Sequence, residues 1–226
     1  MFRQAFAVAA YLAAMACNTY LTAWVLNLDE VLPALRPFVS GIDRTPARID
    51  LRLPPATSAA VNLALLCVLA LQHNVMSRMR VKAAMRPVVP FAWERSVFVA
   101  AASAALGLAL LLWQPLPHIV WRVPPPADTA VAALSGLGFL LFMSSMFTTD
   151  PWDLFGLRQA FSGLEEHRYP RHSLVLGGLC RFVRHPMYLG LLTFLLAAPT
   201  MAGRDGGHEG RLGGGMRRRR AGGARV

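Results

Sequence analysis

Two arginines and a histidine stand directly before a proline and an apolar run in the segment CRFVRHPMYLGLL, Cys180 to Leu192. Pro186 suits the first turn of a helix, where its missing N–H costs nothing. That puts Arg184 and His185 at the N-terminal edge of a predicted helix, where the macrodipole is positive. Cations there are disfavoured by roughly 0.3–1 kcal/mol. The conflict disappears if an anion sits at the junction, held by the free N–H groups and the guanidinium fork. Arg184 and Tyr188 are four residues apart and share a helix face. Gly190 leaves the helix open to close approach by backbone or ligand. The same residues also read as a juxtamembrane arginine reaching lipid phosphate beside an interfacial tyrosine.

A second polar intrusion is LQHNVMSRMR, Leu71 to Arg80, in which Gln72, His73 and Asn74 end an otherwise apolar run. Ionisable groups inside membrane segments are functional candidates; an interfacial polar cap is the other reading. His167 and His172 with Glu165 and Glu166 do not have the spacing of a metal motif, so no metal site is expected and a solvated loop is. Gly136–Gly138 lies within an apolar run, which makes it a packing feature and not a phosphate loop. Cys17, Cys67 and Cys180 have neither metal nor redox spacing and read as small apolar fillers.

The elements that must position these residues follow from composition. The 226 residues are 55% hydrophobic and 15% charged, with mean hydropathy +0.42. Soluble domains carry about 25% charged residues. Four stretches reach the roughly 17–25 residues a spanning helix needs: Phe6–Leu28, Thr57–Val75, Val97–Trp113 and Thr129–Phe147. A fifth, Met187–Met201, is shorter. The expected fold is all-α, a polytopic integral membrane protein with about five transmembrane helices. The first stretch reads as a retained helix, since no clear small-residue cleavage site follows it. Basic residues between the second and third stretches and after the fourth put the N-terminus and Thr148–His185 in the cytoplasm. The external loop from Arg36 to Pro55 is irregular, and Pro115–Pro126 is an interfacial turn.

The net charge of +11 does not indicate nucleic-acid binding, because no basic patch sits on a soluble domain. Seven of the 23 basic residues and half of the 18 glycines fall from Met201 onward. Residues 1–202 are expected to form the membrane domain. Residues 203–226, Gly/Arg-rich and without an apolar run, are expected to be a disordered tail. That tail reads either as a basic segment touching anionic lipid or as the mark of a natural end lost through a shifted reading frame. In the second case Met187–Met201 lacks a partner and docks loosely or lies at the interface, and the activity of the chain is impaired.

RFVRHPMYLG resembles the signature of membrane methyltransferases related to isoprenylcysteine carboxyl methyltransferase and phospholipid methyltransferase, and of NnrU-like membrane proteins. Ala70–Pro117, containing the Gln-His and Glu-Arg-Ser stretches, and DPWDLFGLRQAF, Asp150 to Phe161, together are similar to the methanethiol S-methyltransferases. Those enzymes make dimethyl sulfide from methanethiol and S-adenosylmethionine. The resemblance runs from Phe6 to Met201. It implies a cytoplasmic cofactor cleft in a helical membrane protein of the bacterial inner membrane. Arg184, His185, Pro186, Tyr188 and Gly190 match its cofactor-binding signature. The cofactor it implies is S-adenosyl-L-methionine, and the partners it implies are the lipid bilayer and a small thiol. A small thiol is largely protonated at neutral pH, so a nearby base or cation is required, and His73 or His185 fits that role. The resemblance also implies a further helix and paired glutamates after the motif helix, where this chain has its Gly/Arg tail and Glu209. An isoprenylcysteine carboxyl or phospholipid methyltransferase, or a non-enzymatic NnrU-like protein, is the alternative.

Overall fold

The computed structural model describes residues 1–26, 28, 32–39, 41–42, 49, 51–114, 116, 121–148, 150–164, 166–169, 183, 186–197 and 200–201. The described residues are predominantly helical: α1 Phe2–Val25, α2 Pro55–Ser77, α3 Met79–Met85, α4 Phe91–Leu112, α5 Ala127–Thr148, α6 Pro151–Leu154, α7 Leu157–Ser162 and α8 Pro186–Leu196. Short 3-10 turns cover Pro33–Leu35 and Glu166–Arg168, and Trp121–Arg122 pairs antiparallel with Thr200–Met201. The expected 203–226 tail lies outside the described residues. α1, α2, α4 and α5 are each long and apolar enough to cross a membrane, and α8 is a shorter apolar helix. Their outward faces carry exposed leucines, among them Leu63, Leu66 and Leu71 on α2 and Leu134, Leu137 and Leu140 on α5. Apolar residues all round a helix of this length belong in lipid. The chain is an all-α integral membrane protein.

Small residues set the packing. α4 lies between α1 and α2. On α1, Ala7, Ala10 and Ala14 are buried at helical spacing; on α4, so are Ser96, Val99 and Ser103. Ala10 and Ala14 pack on Val99, and the Cys17 thiol lies 3.7 Å from the Ser103 carbonyl. Without a hydrophobic drive between helices in lipid, close backbone approach through small side chains supplies the contact. Cys17 is thus a packing residue, as its spacing suggested, whereas Cys67 faces outward.

α8 packs against α5, which corrects the expectation of a loosely docked fifth segment. A Cβ on Gly190 would come within 2.4 Å of the Phe142 nitrogen, and one on Gly138 within 2.5 Å of the Phe194 nitrogen. Ser135 donates to the Phe194 carbonyl at 2.8 Å. The two glycines let the backbones meet at a distance no other residue permits. α8 begins at Pro186, as the sequence predicts, but ends at Leu196 and not at Met201. Pro199 three residues on disfavours continuing the helix, and Thr200–Met201 pairs instead.

At the opposite end from the N-terminus, Gln114 is 1% exposed and Asn62 4%. The Asn62 amide donates to the Gln114 carbonyl at 2.7 Å and its oxygen accepts from the Gln114 backbone N–H at 2.8 Å. The Gln114 side chain accepts from the Leu51 N–H and donates to the Ile49 and Leu112 carbonyls. This satisfied polar node ties α2 and the end of α4 to the preceding loop.

The glycine contacts yield a paired test. Gly190→Ala should lower the thermal midpoint in detergent, corresponding to roughly 1–3 kcal/mol for overpacking. Gly136→Ala, where nothing lies within 4 Å of the new carbon, should leave it unchanged or raise it by about 0.4–1 kcal/mol.

Candidate active site

The N-terminus of α1, the α2–α4 connection and residues 150–169 gather at one end of the bundle. Ala7 packs on Leu157 and Ala160, the Phe6 and Trp93 rings lie 5.4 Å apart, and Tyr11 meets Phe155 edge-on at 5.5 Å. α4 starts at Phe91, six residues before the sequence-predicted Val97, and so carries Glu94 and Arg95 within the helix. Both charges have partners. Glu94 pairs with Lys82 of α3 at 2.9 Å, and Arg95 with Asp153 of α6 at 3.0 Å. A paired charge is tolerated at the edge of an apolar helix where a lone one is not.

Asp153 is 4% exposed. It receives the Arg95 guanidinium on one carboxylate oxygen and the Tyr169 hydroxyl on the other, in a short hydrogen bond. The same guanidinium nitrogen donates to the Asp153 carbonyl at 3.0 Å, and the Arg95 N–H donates to Gln159 at 3.2 Å. Gly156 sits at φ +83, and a Cβ there would meet the Ser96 nitrogen at 2.9 Å. Asp150 caps α6 through the Trp152 N–H and pairs with Arg158 at 2.8 Å. Arg86 pairs with Glu166. The Glu-Arg-Ser stretch and Asp150–Phe161, far apart in sequence, thus form one docked surface. Burial chiefly, then the hydrogen bond and charge of Asp153, push the Tyr169 hydroxyl well above its ordinary range.

Of the residues singled out from the sequence, Arg184 and His185 lie outside the described residues. Pro186 and Gly190 are buried in α8, and Tyr188 is 57% exposed. Residues two apart on a helix point roughly 200° apart. Gly190 therefore faces α5 and Tyr188 faces away from it. The space at Gly190 is filled by α5 backbone, so its role is to fix α8. His73 is exposed on α2 and meets the Phe98 ring edge-on at 5.1 Å. Among the described residues α2 and α8 share at most a marginal contact. The residues of the Gln-His-Asn run differ in their partners. Asn74 donates back to the Ala70 carbonyl at 2.8 Å, a helix-local bond. Gln72 donates to the Met76 sulfur at 3.3 Å while its buried Oε1 has no hydrogen-bond partner. Such an orphan acceptor is where a donor group of a ligand fits. His167 lies in the 3-10 turn beside Glu166, the partner of Arg86.

Sequence reasoning did not single out Arg95, Asp153, Gln159 or Tyr169. The signal available for Arg95 and Asp153 was a cation and an acid, each at the mouth of an apolar run. Tyr169 carried none.

The fold and this charged end define a polytopic helical membrane protein with its polar chemistry at one end of the bundle. The chain is similar to the methanethiol S-methyltransferases. Methanethiol S-methyltransferase 1 of Bradyrhizobium diazoefficiens is 37% identical over 187 residues, 80% of this chain and 64% of that protein. The methanethiol S-methyltransferase of Mycobacterium tuberculosis is 38% identical over 149 residues, 66% of this chain and 61% of its own length. Nurim of Xenopus laevis is 28% identical over 154 residues, 62% of this chain and 52% of Nurim. The chain thus spans a little over three fifths of the two methyltransferases it matches. No family model and no solved structure matches it.

The raised Tyr169 hydroxyl implies a pH dependence. The folded state holds this proton more tightly than the unfolded chain, whose tyrosine titrates near about 10. Its stabilisation is complete below that pH and is lost as pH rises through the folded value. Tyr169→Phe should cost about 1 kcal/mol below pH ~10 and make the alkaline decline shallower. Denaturant unfolding of both proteins in detergent across that range checks it.

Proposed function

We propose that this chain methylates methanethiol to dimethyl sulfide in a bacterial inner membrane, using S-adenosyl-L-methionine as donor. Similarity to methanethiol S-methyltransferases over 80% of the chain carries this reading. When bound, the donor supplies an electrophilic methyl group on a sulfonium. The protein's task is then to bind, orient and deprotonate. Arg184 and His185 hold the donor's carboxylate at the entrance of α8, where a cation pair is otherwise misplaced. Pro186 starts that helix, Gly190 seats it on α5, and Tyr188 lines the cleft from the opposite face. The orphan Gln72 Oε1 offers an acceptor to an N–H or S–H group. His73, or His185 where Arg184 alone holds the carboxylate, would take the thiol proton, and the bound donor would supply the methyl group to the resulting thiolate. The apolar bundle suits a small apolar thiol that partitions into lipid. We assign the activity to residues 1–202, impaired where residues 203–226 stand in place of the further helix and paired glutamates.

Headspace dimethyl sulfide over membranes supplied with methanethiol and S-adenosylmethionine is the test. Arg184→Lys should lower the yield roughly tenfold at equal expression, because lysine keeps the charge but loses the two-pronged contact. Removing residues 203–226 should change nothing. If neither the chain nor a chimera continued beyond Met201 with the Bradyrhizobium sequence yields dimethyl sulfide, the reading is wrong.

A further inference from the structure

Between α2 and α4 the segment RMRVKAAMR, Arg78 to Arg86, carries four cations and no acid. The structure divides these four. Lys82 is bound to Glu94 and Arg86 to Glu166. Arg78 and Arg80 are exposed and have no carboxylate or hydrogen-bond partner for their side chains among the described residues. The backbone at Arg78 is extended (φ −74, ψ 136), so α3 does not continue α2 and leaves its line where the spanning segment ends. Apolar side chains are exposed on the same connection: Met79, between the two cations in sequence, is 68% exposed and Val88 84%. The Lys82–Glu94 pair holds this segment to the foot of α4, so the cations are presented at a fixed depth.

We propose that Arg78 and Arg80, with Met79 and Val88, form a contact for anionic lipid headgroups at the membrane surface that this loop meets. The charge is complementary, since the two guanidiniums have fork geometry for phosphate and lack an internal counter-ion. The neighbouring apolar groups match the acyl boundary. The occupant is a lipid and not a soluble anion, because the cations flank the end of a spanning helix and the adjoining residues are apolar. This assignment does not depend on methyl transfer.

The full chain is reconstituted into bilayers containing phosphatidylglycerol with a photo-crosslinking headgroup, and adducts are mapped by peptide mass spectrometry. Adducts should concentrate on Arg78–Val88 and fall strongly in roughly 1 M salt, where the screening length is about 3 Å. They should drop roughly fivefold for each arginine changed in Arg78→Gln and Arg80→Gln, the factor that about 1 kcal/mol per cation implies. Arg86→Gln, which removes an internally paired cation, is the control for general loss of positive charge and should retain most adducts. Equal labelling by a phosphatidylcholine analogue would overturn the proposal. So would unchanged labelling in the double variant, or an equal drop in Arg86→Gln. Helical content by circular dichroism verifies that each variant is folded.

Discussion

The Arg95–Asp153 pair is the constraint on which the charged end of the bundle depends. Asp153 is almost wholly buried and accepts from a guanidinium and a phenol at once. A buried carboxylate is costly unless every nearby donor is aimed at it, so α6, α7 and the Tyr169 turn are drawn onto α4. Gly156 permits the approach, because a side chain there would strike the α4 backbone.

The bundle divides into two packing groups with different means of contact. α1, α2 and α4 meet through alanines, serines and the Asn62–Gln114 node. α5 and α8 meet through glycines at near backbone contact. Lipid offers no hydrophobic reward for helix association, so both groups rely on small residues and buried hydrogen bonds. The residues proposed to act are divided between them, with Gln72 and His73 in the first and Pro186, Tyr188 and Gly190 in the second.

The candidate site was partly legible in the sequence. Pro186 as a helix start and Gly190 as a point of close approach rested on local stereochemistry, which operates whatever surrounds it. The meaning of Gly190 was open between backbone and ligand, and α5 occupies the space. Gln72, His73 and Asn74 looked alike as a polar run. Separate partners distinguish them: Asn74 bonds its own helix, His73 meets Phe98, and Gln72 keeps an unsatisfied oxygen.

Composition and periodicity alone determined that this is a helical membrane protein with four full spans and a shorter fifth segment, because lipid demands internally satisfied backbone over a fixed thickness. The tertiary structure decided what depends on residues distant in sequence. Helix α4 extends outward through Glu94 and Arg95 because partners from α3 and α6 neutralise them. Helix α8 ends at Leu196, and the strand partner of Thr200–Met201 lies across the chain at Trp121–Arg122. A charge or a glycine announces only that it needs a neighbour, and three-dimensional packing selects which neighbour it has.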